Sequence, residues 1–476
     1  MLGIYSVENE EMKPAVDKCH KCWEVLYICV KGVKIMEKSI KKVLIITLTM
    51  VPYAPQWGGC QRMYFLAEYL KYQGFFVSVL YSKEKYRDFG MPINFHPIPL
   101  GPGFLPDYLY KSTSVSKGRL LQSTINNFKF IMEKLKILSF ENYIFNENTL
   151  GLGIIGYLFT RIARNCILKT IQEQTINYVI ISAPPFSLFG LAPFIKRHFP
   201  DIRIILDYRD PWNTMYSPYI STFLEKKYLK YADKVVFLND RMLVDSIQRY
   251  GLPESKCETV LNGYSKQDWE QVEEHFLNTS QHVIQQNNRM VISYIGSGNF
   301  SKGGIRSISE FFDAFEIFQK NKKVLLRFVG PPTPQESEEI KQRFHNKIEI
   351  IPAVSLQTSL NYMLNSDVQL LIHTQDATAK YVLTGKLFDY IRSGKVIFGI
   401  GSQKETYFLD LIEKYTLGLG CLNQSTEILK NLEILYDHWS RGTLNQLRQN
   451  VGLNIEEYSR DSQNAKYLKI FNELGN

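Results

Sequence analysis

The sequence lacks any apolar run of about 18 residues, the length that a helix needs to span a bilayer. The run 25–33 is interrupted by Lys31, and the run 150–159 is short and contains three glycines. The N-terminal residues are acidic and no small-residue cleavage site follows them, so no secretory signal peptide is expected. These absences favour a cytoplasmic protein that does not cross the membrane.

Cysteines and basic clusters are also sparse. The seven cysteines are scattered and odd in number, which argues against a disulfide-framed scaffold and favours a reducing compartment. Cys19 and Cys22 form one CxxC pair without a second pair, so we expect no metal site. The net charge is +9 without a dense basic tract, and we therefore expect no nucleic-acid partner.

Several catalytic motifs are missing as well. The sequence has no HExxH, no GxSxG and no Walker A spacing, which argues against a zinc protease, an α/β-hydrolase and a P-loop ATPase. Gly151, Gly153 and Gly156 have dinucleotide-loop spacing, but they follow polar residues and not a strand. We expect that glycine cluster to serve packing or bending.

Short apolar runs alternate with helical patterns in two successive sets. The predicted strands are 42–47, 75–81, 178–182, 204–207, 235–238 and 259–261, then 291–295, 324–329, 347–351, 368–372 and 396–400. Strands that alternate with helices predict parallel sheets, so we expect an α/β protein with two facing, doubly wound, Rossmann-like domains.

Composition predicts the domain boundaries. The stretch 266–288 is polar and lacks periodicity, which is typical of a link between domains. The predicted segments are an extension at 1–35, a first domain at 36–265, the linker at 266–288, a second domain at 289–440 and C-terminal helices at 441–476. The extension precedes Met36 and is either a mis-assigned start or a loose segment. We expect the final helix to cross back onto the first domain.

Two loops of the second domain follow predicted strands, where ligands bind in open α/β sheets. The loop from Gly296 to Gly304 enters a helix and carries Lys302, so its amides and lysine suit a phosphate. The alternative is a glycine-rich turn with a solvated lysine. In the stretch 384–394, Thr384 is a candidate N-cap, and Asp389 can accept the two hydroxyls of a ribose; the alternative for Asp389 is a solvent-facing helix acid.

Two further loops belong to the first domain. Gly58 and Gly59 follow the first strand, and a backbone without side chains allows a ligand to approach closely, although an ordinary turn has the same pattern. Asp207 ends a predicted strand, whereas Asp210 before Pro211 has the pattern of a helix start. Asp207 is therefore the freer of these two acids for a ligand.

In this order and spacing, the loops resemble those of the GT-B glycosyltransferases, specifically glycosyltransferase family 4, over residues 42–474. The motifs that carry the resemblance are Gly58-Gly59, 182–187, 207–212, 260–263, the Gly296 loop and 385–394. The resemblance implies that the first domain lies on the acceptor side and that the second binds the nucleotide sugar donor.

The family's charges are only half present. Gly296, Lys302 and Gly303 fall on the donor-loop spacing, but Ser297 stands where the family has arginine. Asp389 falls on the second of the family's paired acids, whereas the first position is Tyr381. From sequence proximity, Lys386 or Arg306 is a candidate for the missing cation.

The resemblance implies transfer of a sugar from a nucleotide diphosphate sugar to an acceptor hydroxyl, without a metal or cofactor and with retention of anomeric configuration. The implied donor residues are Gly296, Ser297, Gly298, Lys302, Gly303, Arg306, Gly385, Lys386 and Asp389. Gly58 and Gly59 are expected in an acceptor or phosphate loop. Asp207, Asp210 and His96 are candidates for a general base.

The region 104–170 is basic with interleaved apolar residues, a pattern that suits anionic lipid headgroups. A lipid-linked or saccharide acceptor, as in bacterial surface polysaccharide or glycolipid synthesis, and peripheral contact with the inner face of the plasma membrane would explain it. A basic surface of helical insertions is the alternative. Two other functions stay open, a GT-B sugar-nucleotide epimerase and a non-catalytic nucleotide-sugar-binding subunit.

Overall fold

The computed structural model describes residues 40–48, 57–82, 95–100, 154–212, 218–278, 288–296, 307–330, 334–373, 379–381 and 383–475. The predicted extension with Cys19 and Cys22, and most of the basic region 104–170, lie outside the described residues. All described residues belong to one compact unit, Ile40–Asn476.

The short β-branched runs of the first half form a seven-stranded parallel sheet. Its strands are β1 (Lys42–Ile46), β2 (Phe76–Ser82), β3 (His96–Leu100), β4 (Tyr178–Ala183), β5 (Arg203–Tyr208), β6 (Lys234–Phe237) and β7 (Cys257–Thr259). Their order is β3-β2-β1-β4-β5-β6-β7, and every neighbouring pair is parallel. The strand order reverses between β1 and β4, which is where a doubly wound sheet opens a crevice for ligands.

Among the described residues, six helices flank or follow these strands in the chain. They are α1 (Trp57–Tyr72), α2 (Ile154–Gln174), α3 (Leu191–His198), α4 (Pro218–Leu229), α5 (Asp240–Tyr250) and α6 (Lys266–Asn278). α5 shows clear end signals: Asn239 accepts a hydrogen bond from the Met242 amide at its start, and Gly251 ends it in the left-handed conformation.

The second half forms a six-stranded sheet of the same kind. Its strands are β8 (Met290–Ile295), β9 (Val324–Val329), β10 (Ile348–Ile351), β11 (Val368–His373), β12 (Val396–Gly401) and β13 (Gly418–Leu422). Their order is β10-β9-β8-β11-β12-β13, again with parallel neighbours. The order reverses between β8 and β11, so Gly296 and His373 lie at the second crevice.

In the part of the second half that the structure describes, the helices are α7 (Ser309–Phe318), α8 (Pro334–Phe344), α9 (Leu356–Leu364), α10 (Gly385–Arg392), α11 (Tyr407–Lys414), α12 (Ser425–Ser440) and α13 (Arg460–Gly475). α13 returns to the first sheet, where Ile470 and Phe471 pack with Val43 and Ile45. The prediction that the last helix crosses back is therefore confirmed.

Successive side chains along a strand of the first sheet point to opposite faces and pack into two different hydrophobic clusters. Val43 and Ile45 face α1 and α13, whereas Leu44 and Ile46 face the opposite side of the sheet. We call the seven-stranded sheet with its helices the first lobe and the six-stranded sheet with its helices the second lobe. The cluster on that opposite side continues into the second lobe, where it includes Leu387 of α10. A third cluster fills the other face of the second sheet. Apolar packing therefore joins the two lobes directly.

The predicted α/β architecture with two Rossmann-like sheets is confirmed, but several local predictions are wrong. The stretch predicted to lack periodicity contains α6, in which Trp269 and Val272 are buried at helical spacing. No helix begins at Pro211; the next described helix begins at Pro218. Gly58 and Gly59 lie in the first turn of α1 and not in the preceding loop. β13 was not predicted, because its glycines weaken the strand pattern.

Candidate functional site

Lys386 of α10 reaches the backbone of Gly296 at the crevice of the second sheet. Gly296 directly follows β8, and its amide donates to the Val329 carbonyl at 2.7 Å. A Cβ atom at position 296 would lie 2.8 Å from Lys386 Nζ, so the absent side chain leaves room for the lysine. The ammonium also lies 3.9 Å from the centroid of the Tyr294 ring. A cation is thus held beside the predicted donor loop.

The N-terminus of α10 points positive charge at the same place. Thr384 has extended backbone angles at the N-cap position, as expected, but its side chain makes no capping hydrogen bond. Its Oγ1 atom is buried and has no hydrogen-bond partner among the described residues. Helix N-termini with unused amides attract anions, so α10 and Lys386 together suit a phosphate group.

Asp389 lies one turn further along α10 and contacts the joining helix α6. Its Oδ1 accepts a hydrogen bond from Trp269 Nε1 at 3.0 Å. Burial raises the pKa of the Asp389 carboxyl to about 6, and the nearby Arg460 guanidinium and the Trp269 hydrogen bond limit that rise. Asp389 retains partial exposure, so a ligand can still reach it.

Asp207 lies inside the first lobe. Its carboxylate accepts hydrogen bonds from Arg62 Nη2 at 2.7 Å, from Ser182 Oγ at 2.8 Å and from the Tyr467 hydroxyl at 2.8 Å. Its exposed fraction is 0%. Burial alone would lower the pKa of Arg62, but Asp207 and Tyr467 outweigh it and raise that pKa. A carboxylate without exposed surface cannot take a proton from a substrate in this conformation, so Asp207 acts as an anchor between β5, α1 and α13.

The other two candidate bases lie in different places. Asp210 follows β5 at the carboxyl edge of the first sheet and is exposed. His96 begins β3, so it lies at the amino end of its strand, away from the edge where ligands bind. His96 is exposed and stacks on Phe76. Only Asp210 has a position that suits contact with an acceptor.

The remaining predicted donor residues lie outside the described residues. These are Ser297, Gly298, Lys302, Gly303 and Arg306. Gly385 is the first residue of α10 and is exposed. The structure therefore brings together Gly296, Gly385, Lys386 and Asp389 from the predicted donor set.

Tyr381, which stands at the family's first acid position, contacts the first lobe. Its hydroxyl donates to Asp245 Oδ2 on α5, and Lys380 Nζ lies 2.8 Å from the same oxygen. Asn239 Nδ2 donates to the Tyr381 carbonyl at 2.6 Å. Burial alone would raise the pKa of Asp245, but the hydrogen bonds from Lys380 and Tyr381 outweigh burial and lower that pKa. Tyr381 therefore contacts the first lobe through its hydroxyl and its carbonyl. In the resemblance to glycosyltransferase family 4, an acid is expected at this position.

A cavity of about 30 Å³ lies between α4, α5 and the end of β5. Its lining includes Tyr208, Trp212, Glu225, Tyr250 and Tyr381. Burial raises the pKa of Glu225 to about 7, and the Tyr250 hydroxyl donates to it at 2.5 Å. This volume is enough for at least one water molecule beside these polar side chains.

Four residues of the clusters described above were not predicted from the sequence. They are Arg62 beside Asp207, Glu225 in the cavity, and Trp269 and Arg460 near Asp389. Each lies on a helix with no motif around it, and each acquires its partner from a distant part of the chain. The helical spacing of Trp269 and Val272 is the one signal that could have revealed α6.

Two further features concern the described part of the chain. No group of three or more His, Cys, Asp or Glu side chains among those residues is arranged to hold a metal ion. None of the helices there combines the length and the apolar composition that crossing a bilayer requires.

The known proteins that this chain resembles are found among solved structures. No protein-family model and no curated protein sequence matches the chain significantly. A glycosyltransferase from Rickettsia africae ESF-5 is 13% identical with a TM-score of 0.57, and the match covers 92% of this chain and 99% of that chain. HepE from Anabaena, solved in complex with UDP-glucose, is 11% identical with a TM-score of 0.55, covering 91% and 99% of the two chains.

A third match is α,α-trehalose 6-phosphate synthase from Burkholderia multivorans. It is 11% identical with a TM-score of 0.59, and the match covers 92% of this chain and 97% of that chain. The TM-scores of these three matches establish a shared fold. Sequence identities this low do not establish a shared activity. The chain therefore has the GT-B fold that the resemblance implies.

Proposed function

We propose that this chain is a glycosyltransferase, similar to family 4, that moves a sugar from a nucleoside diphosphate sugar to an acceptor hydroxyl. The observation that carries the proposal is the approach of Lys386 to Gly296, beside the N-terminus of α10. A cation and helix amides at the crevice of the second sheet are the groups that a diphosphate needs. HepE, which shares the fold, was solved with UDP-glucose and supports this choice of ligand.

The difficult part of the reaction is the negative charge that develops on the departing diphosphate. Lys386 and the first amides of α10 stabilise that charge, and they are held in place before the reaction begins. Lys302 and Gly303 are proposed to complete the cradle. Asp389 accepts the ribose hydroxyls. Transfer is proposed to proceed without a divalent metal and with retention of anomeric configuration.

The acceptor is proposed to be lipid-linked or saccharide, in bacterial surface polysaccharide or glycolipid synthesis at the cytoplasmic face of the membrane. Arg161 and Lys169 on the exposed side of α2 are described members of the basic region that supports this. Asp210 is the candidate general base, because it is exposed at the carboxyl edge of the first sheet.

A donor panel tests the proposal. Purified protein is incubated with UDP-, GDP-, dTDP- and ADP-sugars, with and without bacterial membrane extract. Release of a nucleoside diphosphate together with a glycosylated lipid or saccharide is the expected result. An interconverted donor would support the epimerase instead, and binding without either product would support a non-catalytic subunit.

A further inference from the structure

The cavity between α4, α5 and the end of β5 has a buried polar floor. Trp212 and Glu225 line it, with exposed fractions of 2% and 4%. The Trp212 ring stacks on Phe186 with the ring centroids 4.9 Å apart, so its direction is fixed. Its Nε1 atom is buried and has no hydrogen-bond partner among the described residues. A buried N–H without a partner is costly, which indicates that the cavity receives a hydrogen-bond acceptor.

Glu225 brings the complementary chemistry to the same cavity. Its Oε2 atom accepts a hydrogen bond from the Tyr250 hydroxyl at 2.5 Å. A carboxylate has lone pairs for about four donors, so this bond leaves accepting capacity unused. Burial raises the pKa of Glu225 to about 7, and the carboxylate form therefore prevails at pH 8. The floor thus combines a free donor with an acceptor.

The rim of the cavity lies where a ligand can enter. Arg249 is exposed and Asp245 is half-buried, so the rim is polar and reaches the surface. Tyr208 ends β5, which places the cavity at the carboxyl edge of the first sheet, where ligands bind. Asp210, the candidate base, follows two residues later in the chain. Tyr381 adds a wall from the second lobe, so the cavity lies between the lobes.

We propose that this cavity is an acceptor subsite that receives one hydroxyl group of a saccharide: Trp212 Nε1 donates to the hydroxyl oxygen, and Glu225 accepts the hydrogen bond that the hydroxyl donates. This inference rests on the proposed function and specifies that the acceptor end is a sugar, free or lipid-linked. A hydroxyl both accepts and donates, so one group satisfies both side chains. It also fits a cavity of about 30 Å³, since it occupies about the space of a water molecule.

A phosphate group suits this lining poorly. Among the described residues, the lining carries the carboxyl groups of Glu225 and Asp245 against the one guanidinium of Arg249. Asp245 is ionised at neutral pH, because hydrogen bonds from Lys380 and Tyr381 lower its pKa. At pH 8 both carboxylates would repel a phosphate. The subsite therefore favours a neutral sugar hydroxyl over a lipid phosphate.

The Trp212 indole reports on the subsite in the wild-type protein. Labelling with ¹⁵N-tryptophan gives five indole signals, since the chain has five tryptophans. Tryptophan-to-phenylalanine variants at the five positions assign them, and elimination identifies Trp212 even if its own variant does not fold. At pH 8, with and without UDP, the protein is titrated with hexoses, N-acetylhexosamines, 6-deoxyhexoses and inorganic phosphate. We expect at least one monosaccharide to shift the Trp212 signal saturably and phosphate to leave it unchanged.

Two variants make this binding specific. Trp212→Phe keeps a ring against Phe186 but loses the N–H, and Glu225→Gln replaces the carboxylate by a weaker acceptor. Each should weaken binding of that sugar by about 3- to 10-fold, the effect of one hydrogen bond, in saturation-transfer NMR of the sugar. Trp439→Phe and Glu254→Gln change residues that do not line the cavity, so these matched controls should bind the sugar as the wild type does.

Calorimetry with UDP separates this inference from the proposed function. UDP affinity should be equal in the wild type, Trp212→Phe and Glu225→Gln. UDP binding without any sugar-induced shift of the Trp212 signal would overturn the subsite and leave the function standing, as would sugar binding that both variants leave unchanged. A shift caused by phosphate alone would assign the cavity to an anion and also overturn it. A protein that binds sugars at Trp212 but no nucleotide or donor would contradict the function, and the acceptor role with it.

Discussion

Trp269 donates its indole N–H to the carboxylate of Asp389 at 3.0 Å, so a helix that joins the lobes holds the acid expected to bind ribose. The contact uses one oxygen of the carboxylate and fixes its direction. Movement of α6 relative to α10 would therefore displace the Asp389 carboxylate, which belongs to the proposed donor site.

Lys386→Ala should weaken UDP binding by about 10- to 100-fold, because a hydrogen bond between a charged group and a phosphate contributes about 1.5–3 kcal/mol. Calorimetric titration at neutral pH measures this. Lys414→Ala, at an exposed lysine that ends α11, is the matched control and should bind UDP as the wild type does. Equal affinity in Lys386→Ala and Lys414→Ala would remove Lys386 from the site.

Asp389→Asn should weaken UDP binding and stabilise the fold at high pH. The pKa of Asp389 is raised in the folded state, so this group favours folding at low pH, and that contribution is lost as the pH rises through about 6. The asparagine variant avoids this loss, and we expect up to about 3 kcal/mol of additional stability at pH 8.

Urea unfolding at pH 5 and pH 8 checks the stability part of that prediction. The difference between Asp389→Asn and the wild type should be larger at pH 8 than at pH 5. A variant that is destabilised equally at both values would mean that the carboxylate is held mainly by favourable contacts.

Asp207→Ala should lower the free energy of unfolding by about 3–5 kcal/mol, because it leaves the Arg62 guanidinium buried without its partner. Asp201→Ala, at an exposed turn, is the control and should change it by no more than about 0.5 kcal/mol. Thermal or urea unfolding gives both values. If Asp207→Ala were as stable as the control yet inactive, Asp207 would be a catalytic residue after all.

Gly263→Ala should destabilise the protein by about 2–4 kcal/mol. Gly263 has a φ of +72°, and a Cβ there would lie 2.7 Å from the Arg460 amide nitrogen and 2.8 Å from the Ser459 carbonyl carbon. Gly251 has a similar φ of +63°, but a Cβ there meets nothing within 4 Å. Gly251→Ala should therefore cost only about 1–2 kcal/mol.

Unfolding of the two alanine variants under identical conditions isolates the contact between Gly263 and the start of α13. Equal losses in stability would show that backbone strain alone accounts for the glycine, and that the chain crossing tolerates a side chain.

The sequence predicted the architecture because buried parallel strands are short and β-branched, as in Val324–Val329, whose bounds agree with the prediction. It offered Lys386 as a candidate cation from sequence proximity alone, and the sheet order, with β8 beside β11, is what brings Lys386 to Gly296. The role of Asp207 was not predictable, because its partners Arg62 and Tyr467 come from distant helices. Trp269 was hidden for the same reason, and the polar composition of α6 masked its buried face.

A crystal structure with UDP bound tests the central claim most directly. The account predicts the diphosphate beside Gly296 and the first turn of α10, with Lys386 Nζ within hydrogen-bonding distance and the ribose hydroxyls on Asp389. A nucleotide bound on the first lobe, or elsewhere on the second with Lys386 and Asp389 both remote from it, would contradict the account.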